Sequence, residues 1–310
     1  MRPFRFGVNV RSTASAADWT ALARKVEDLG YASLNVPDHL ADMLAPIPAL
    51  AVAAAVTTRL RVSTMVLDNE FRHPVLVARE AATLDLLSDG RLDLGLGAGH
   101  MKSEFDQAGL RFDRGAVRVE RLAEAVTIVK GLLAGETVTF AGHHYQVTGH
   151  TIYPRPVQRP HPPIVIGGNG PRLLALAAAE ADVVGLSGIT FRRGGTEPDL
   201  TAFRAAAVDE RVRHLREAAG VRFERLELSA LVQRVIVTDD RRAGAEELAR
   251  RWPALGVDDI LDSPFLLLGT LDEIAGQLVA RRARWGISSY VIFAPALDAF
   301  ASIVARLAGR

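Results

Sequence analysis

Two histidines stand where an alternating chain would place chemistry. His39 follows Asp38 after the run Leu34-Asn35-Val36-Pro37, and His100 closes the run Leu94-Gly95-Leu96-Gly97-Ala98-Gly99. Imidazole titrates near neutral pH, so either ring could act as general acid or base, with a neighbouring carboxylate to orient it. From position alone, an ordinary polar pair at a loop start is the simpler reading of Asp38 and His39. Gly97, Ala98 and Gly99 let a ligand approach the backbone, because little or no side chain stands in the way; a tight turn needs the same residues. Met65 and Val66, in Ser63-Thr64-Met65-Val66-Leu67-Asp68-Asn69, offer apolar surface that could support a flat ring. Arg72 and His73, just beyond, could position a ligand or only the loop. The last cluster, Gly167-Gly168-Asn169-Gly170-Pro171-Arg172, leads straight into an Ala- and Leu-rich helix, where exposed amides would form an anion site suited to a phosphate group; a plain Gly-Pro loop is the alternative.

Other chemistries find no support. The glycine spacing is wrong for a dinucleotide fingerprint, no Gly-Lys-Ser/Thr follows it, and no Gly-x-Ser-x-Gly elbow occurs. Among 8 histidines no pair has helical ligand spacing with a carboxylate, His143-His144 falls in a hairpin turn, and there is no cysteine, so no metal site is expected. The 37 basic and 36 acidic residues nearly cancel without a basic stripe, which argues against nucleic acid as a partner. No run has the length of a membrane span and no signal peptide opens the chain, so the expectation is a cytoplasmic protein with no membrane partner.

The elements that must hold these residues alternate from end to end. Strands are expected at 4–10, 32–36, 60–67, 92–96, 164–166, 183–186, within 226–237 as one long strand, and at 289–293. Ser15 caps a helix with Trp19, Leu22, Val26 and Leu29 on one face; Pro74 opens another; Val119, Leu122, Val126, Val129 and Leu133 mark the clearest amphipathic helix. Thr270 and Glu273 form a capping box for a helix carrying Ile274, Leu278 and Trp285. Eight strands with interleaved helices imply a (β/α)8 TIM barrel, with a doubly wound open sheet as the rival. A single domain over 1–310 is expected, with insertions at about 135–163, where a β-hairpin forms, and 188–225, an extended loop plus helix. In a barrel, the chemical clusters all fall at the carboxyl ends of strands.

In order and spacing, these segments resemble the luciferase-like monooxygenase superfamily, and within it the coenzyme F420-dependent oxidoreductases. The resemblance rests on Val36-Pro37-Asp38-His39, Phe71-Arg72-His73-Pro74, the run from Gly90 to Gly99 with Glu104, Arg155-Pro156-Val157-Gln158, Pro162-Pro163-Ile164, Gly167-Gly168 with Gly170, and Gly269-Thr270. It implies a TIM barrel with insertions and a non-proline cis peptide between Met65 and Val66 that backs the deazaflavin ring. It further implies Asp38 and His39 beside that ring, Gly97, Ala98 and Gly99 at the pocket edge, and Gly167, Gly168, Asn169 and Gly170 on the phosphate. Where the family's sugar-phosphate dehydrogenases carry an acidic proton donor, this chain has His100, which weakens the expectation of a glucose-phosphate substrate. The implied activity is hydride transfer between F420 and a small organic substrate, with His39 and His100 handling the proton and reduction of C=C or C=N preferred. The alternatives are an FMN-dependent monooxygenase on the same fold and a non-catalytic ligand-binding barrel. Arg192 and Arg193 could meet an anionic cofactor tail or simply be solvated. A homodimer is expected.

Overall fold

The computed structural model describes residues 1–191 and 196–310. Eight parallel strands form the barrel: β1 (Arg5–Asn9), β2 (Ser33–Val36), β3 (Arg61–Thr64), β4 (Leu92–Gly97), β5 (Ile164–Gly167), β6 (Val183–Ser187), β7 (Glu227–Leu231) and β8 (Ile287–Phe293). Each pairs with its sequence neighbour, β3 with β4 included, and the β1–β8 pairing closes the ring, so the open-sheet rival is excluded. The helices between them are α1 (Ala16–Asp28), α2 (Pro46–Ala55), α3 (Pro74–Leu87), α4 (Gly115–Ala134), α5 (Pro171–Glu180), α6 (Ala205–Ala219) and α7 (Leu271–Trp285), and α8 (Leu297–Leu307) ends the chain.

Local signals act as the sequence suggests. The Ser15 side chain accepts the Asp18 N–H at the start of α1, Pro74 opens α3, and Thr270 and Glu273 close a reciprocal capping box on α7. Along α4, Leu122, Val126, Val129 and Leu133 are buried against the barrel wall and Val119 is half-buried. The hairpin of the first insertion pairs Val138–Ala141 with Gln146–His150, and Glu124 of α4 fastens its turn by accepting the backbone N–H groups of His143, His144 and Tyr145 at 2.8–3.0 Å.

Two expectations need revision. The long strand within 226–237 is two pieces. β7 ends at Leu231, and Arg234–Val237 leaves the barrel to pair with Leu266–Gly269 in a separate parallel pair, flanked by helices Arg241–Arg251 and Val257–Asp262. The chain therefore carries a further insertion between β7 and α7. In the segment after β6, Thr190–Phe191 pairs with Pro198–Asp199 before α6; Arg192 and Arg193 lie outside the described residues.

The amino ends of the strands are closed by charge. Arg5 bridges Asp93 and Glu227, each at 3.1 Å, while Arg61 holds the other oxygen of Asp93 and reaches Gln158. Gln158 in turn binds Asp85 and the Leu92 carbonyl. The Arg155–Gln158 segment is thus a clamp on the barrel floor, remote from the rim.

Candidate active site

At the carboxyl end of β3 the chain bulges. Ser63 pairs with Asp93 and Leu67 with Leu96, so four residue steps on β3 face three on β4. The extra length is taken up at Met65 and Val66, whose peptide bond is cis, as the resemblance implied. Val66 fills the space left by three glycines: a Cβ on Gly97 would lie 2.5 Å from Val66 Cγ2, and Cβ atoms on Gly95 and Gly167 would lie 3.0 and 3.1 Å from Val66 Cγ1. The β4 glycines that look like a ligand approach in the sequence make room first for this bulge.

Asp38 ties the ends of β2 and β3 together. Its carboxylate is buried, pairs with the Arg72 guanidinium through both oxygens, and accepts the Asp68 backbone N–H at 3.0 Å. Arg72 therefore positions the loop. Asp68 lies against Gly99, where φ of +70° and an Asp68 Oδ2 only 2.5 Å from an added Cβ both require glycine. Burial, then repulsion from Glu70 and Asp38, pushes the Asp68 carboxyl up to about 7, against the opposing Glu70 N–H and Arg118. Arg118 of α4 donates to the Ala98 and Gly99 carbonyls at 2.9 and 3.2 Å and stacks on Phe112, which fixes the loop after β4.

The two histidines meet above this floor. Their rings stand edge to face, with centroids 5.4 Å apart, and His100 also contacts Phe191 at 5.0 Å. His39 Nδ1 lies 2.9 and 3.1 Å from the oxygens of Glu104, which also accepts the Leu40 N–H at 3.4 Å. With Nδ1–H donated to this buried carboxylate, Nε2 is the nitrogen left for proton exchange. Surrounding protein, then the His39 and Arg118 charges, lowers His100 to about 4. His100 is nonetheless solvent-exposed, so what holds of this shift is its direction, toward the neutral ring.

Beyond β5, the Gly168 N–H is bound by Gly185, and the Asn169 amide is spent on the carbonyls of Ser187 and Ile189 and the Ser187 N–H. Asn169 thus joins the β5 and β6 loops through its side chain. The first helical bond of α5 runs from Leu174 N to the Gly170 carbonyl, so the Arg172 and Leu173 amides precede it, and Arg172 is exposed. These donors at a helix N-terminus suit the phosphate of a flavin-type side chain.

All four clusters thus share one rim. Val66 links Gly97 to Gly167, Asp38 and Asp68 link β2 to Gly99, and Glu104 links His39 to the helix Lys102–Ala108. The sequence named Glu104 and Asp68 without a role and missed Arg118 and Phe191, whose partners are distant in the chain. Among the described residues no cluster could hold a metal, and no helix is long and apolar enough to cross a membrane.

Among curated proteins, the chain is 31% identical over 305 residues to the F420-dependent glucose-6-phosphate dehydrogenase of Nakamurella multipartita, spanning 92% of this chain and 84% of that one. It is 38% identical over 192 residues to the enzyme of the same name from Microbacterium testaceum, where the match covers 58% of this chain and only 55% of that relative. Among solved structures, the coenzyme F420-dependent tetrahydromethanopterin reductase of Methanopyrus kandleri superposes with a TM-score of 0.77 over 99% of this chain and 98% of that one, at 17% identity, a likeness of fold. With a family model matched over residues 1–256, the chain belongs to the luciferase-like monooxygenase family.

Proposed function

We propose that this protein, a single barrel domain over 1–310 with insertions, is a coenzyme F420-dependent oxidoreductase that moves hydride between the deazaflavin and a small organic substrate. The observation that carries this reading is the pairing of His39, oriented by Glu104, with His100 at the rim, on the loops that follow β2 and β4. The names of the curated relatives support the choice of cofactor. When bound, the deazaflavin supplies a carbon, position 5 of its ring, that gives or takes hydride.

The chain's own residues do the rest. Met65 and Val66 back the ring, Asp38 holds the floor beside it, and Gly97, Ala98 and Gly99 form its edge. The segment Gly167 to Gly170 shapes the loop, with the Gly168 N–H and the Asn169 side chain used to hold it to β6, and the backbone amides at the start of α5, Arg172 and Leu173, receive the phosphate. His39 exchanges a proton with the substrate through Nε2, its imidazolium supported by Glu104, while His100 stays neutral and serves as the second proton-handling group. Two like groups in unlike environments make an acid–base pair. Positioning the substrate carbon against the ring and excluding water supply the remainder of the rate.

Reduction of C=C or C=N is the preferred direction. Glucose phosphate is not the proposed substrate, because His100 stands where the acidic donor would be. The family's description as luciferase-like monooxygenases supports a second reading, a monooxygenase, for which FMN is the cofactor we propose. A cytoplasmic homodimer is proposed as well. The test is oxidation of reduced F420 against a panel of unsaturated small molecules. Wild type turns over, whereas His39→Ala and His100→Ala bind cofactor and lose turnover; unchanged rates in both variants would overturn the catalytic assignment of these histidines, and cofactor binding without turnover by wild type against the whole panel would favour a ligand-binding barrel.

A further inference from the structure

A second concentration of unused polar groups lies at the opposite end of the barrel. α7 runs antiparallel to the strands, so its last turns, just ahead of β8, sit at the amino end of the sheet, away from the histidines. There Arg281, Arg284 and Trp285 of α7, Arg241 of the insertion helix, and Leu261 and Asp262 line an open groove of about 180 Å³. Arg284 is neutralised by a two-pronged pairing with Asp209 at 2.6 and 3.0 Å. That leaves the guanidinium groups of Arg281 and Arg241 in the groove against the one carboxylate of Asp262, which stands exposed at the edge.

Arg281 is 5% exposed. Its Nη2 donates to the Leu266 carbonyl at 3.0 Å and more weakly to Leu261, but among the described residues its Nη1 has no partner, and neither does the buried Nε of Arg241. Unmade hydrogen bonds on a buried guanidinium are costly, and two cations sharing one groove repel. Burial, with Arg241 nearby, lowers Arg281 to about 10, against the opposing Tyr290 and Asp262. An anion with several acceptor oxygens would relieve both penalties, and guanidinium forks match phosphate oxygens in geometry and charge. Trp285 and Leu261 add apolar surface next to the charges.

We propose that this groove is an oxyanion site that takes the phosphate group of inorganic phosphate or of a small phosphate monoester, held by Arg281 and Arg241. Because Arg241 belongs to the insertion between β7 and α7, and Arg281 to the barrel wall, the bound anion fastens one to the other. The inference is independent of the activity proposed above.

Thermal unfolding of the full chain, with inorganic phosphate titrated against chloride at equal ionic strength, tests it. A saturable rise in Tm is expected, since a ligand that binds only the folded state stabilises it. Arg241→Gln is expected to weaken the apparent phosphate affinity about tenfold, roughly the loss of one charge-assisted contact. Arg281→Gln should do the same; if losing its bonds to Leu266 and Leu261 prevents folding, Arg241→Gln decides alone. Arg172→Gln, beside the proposed cofactor phosphate, should leave the effect intact. Phenyl phosphate binding more tightly than phosphate would identify a monoester as the ligand, and equal affinity would identify free phosphate; both support the site. No saturable rise, a rise unaltered by Arg241→Gln, or one abolished only by Arg172→Gln would overturn it.

Discussion

Replacing Glu104 with Gln keeps the length of the side chain and removes its charge. In the native site the carboxylate is 7% exposed and accepts the His39 Nδ1–H through Oε2 at 3.1 Å, with Oε1 2.9 Å away. A hydrogen bond to a charged group is worth about 1.5–3 kcal/mol and a neutral one about 0.5–1.5, so the change withdraws about 1–2 kcal/mol of support from the imidazolium. A proton-transfer step through His39 should slow by about 5- to 30-fold. The amide can also turn its N–H toward Nδ1, which would move the ring proton to Nε2 and lower the rate further. The assay compares kcat, KM, cofactor affinity and Tm for wild type, Glu104→Gln, His39→Ala and the double variant. Glu104→Gln should lower kcat while leaving cofactor affinity and Tm near wild type, and it should add nothing in the His39→Ala background. An unchanged kcat, or an equal loss with His39 already removed, would refute the claim that Glu104 acts through His39.

Gly97→Ala places a methyl 2.5 Å from Val66 Cγ2 and should cost about 1–3 kcal/mol in urea unfolding, part of which Val66→Ala restores. Asp68 titrates at about 7 when folded and near 3.8 when unfolded, so the folded state holds the extra proton and stability falls as pH rises through that window. The loss is on the order of 4 kcal/mol at most. Asp68→Asn should flatten the fall between about pH 4 and 8, leaving the variant more stable than wild type at the upper end and no more stable at the lower. Urea midpoints across that range check it.

The strands were legible because each is a short apolar run bounded by turn residues, and the caps at Ser15 and Thr270 because they depend only on neighbours in the chain. The split after Leu231 was not legible. The residues from Leu226 to Val237 form one strand-like run, and only the partner strand Leu266–Gly269 decides where its second half belongs. At the site, residue types at strand ends pointed to the right rim, but their partners were hidden. Glu104 reaches His39 across 65 positions, and Asp68 reaches Gly99 only because β3 and β4 lie side by side. The spaced glycines of β4 signalled close approach correctly. What approaches Gly95 and Gly97 is Val66 of the adjacent bulge, and sequence alone cannot tell a neighbouring side chain from a ligand.

Everything proposed for the rim depends on which flavin-type ring it holds. Equilibrium titration of the purified protein with F420 and, separately, with FMN under anaerobic conditions is the direct measurement. Saturable binding of F420, with FMN bound far more weakly, is the predicted result. Tight binding of FMN with no measurable affinity for F420 would contradict it.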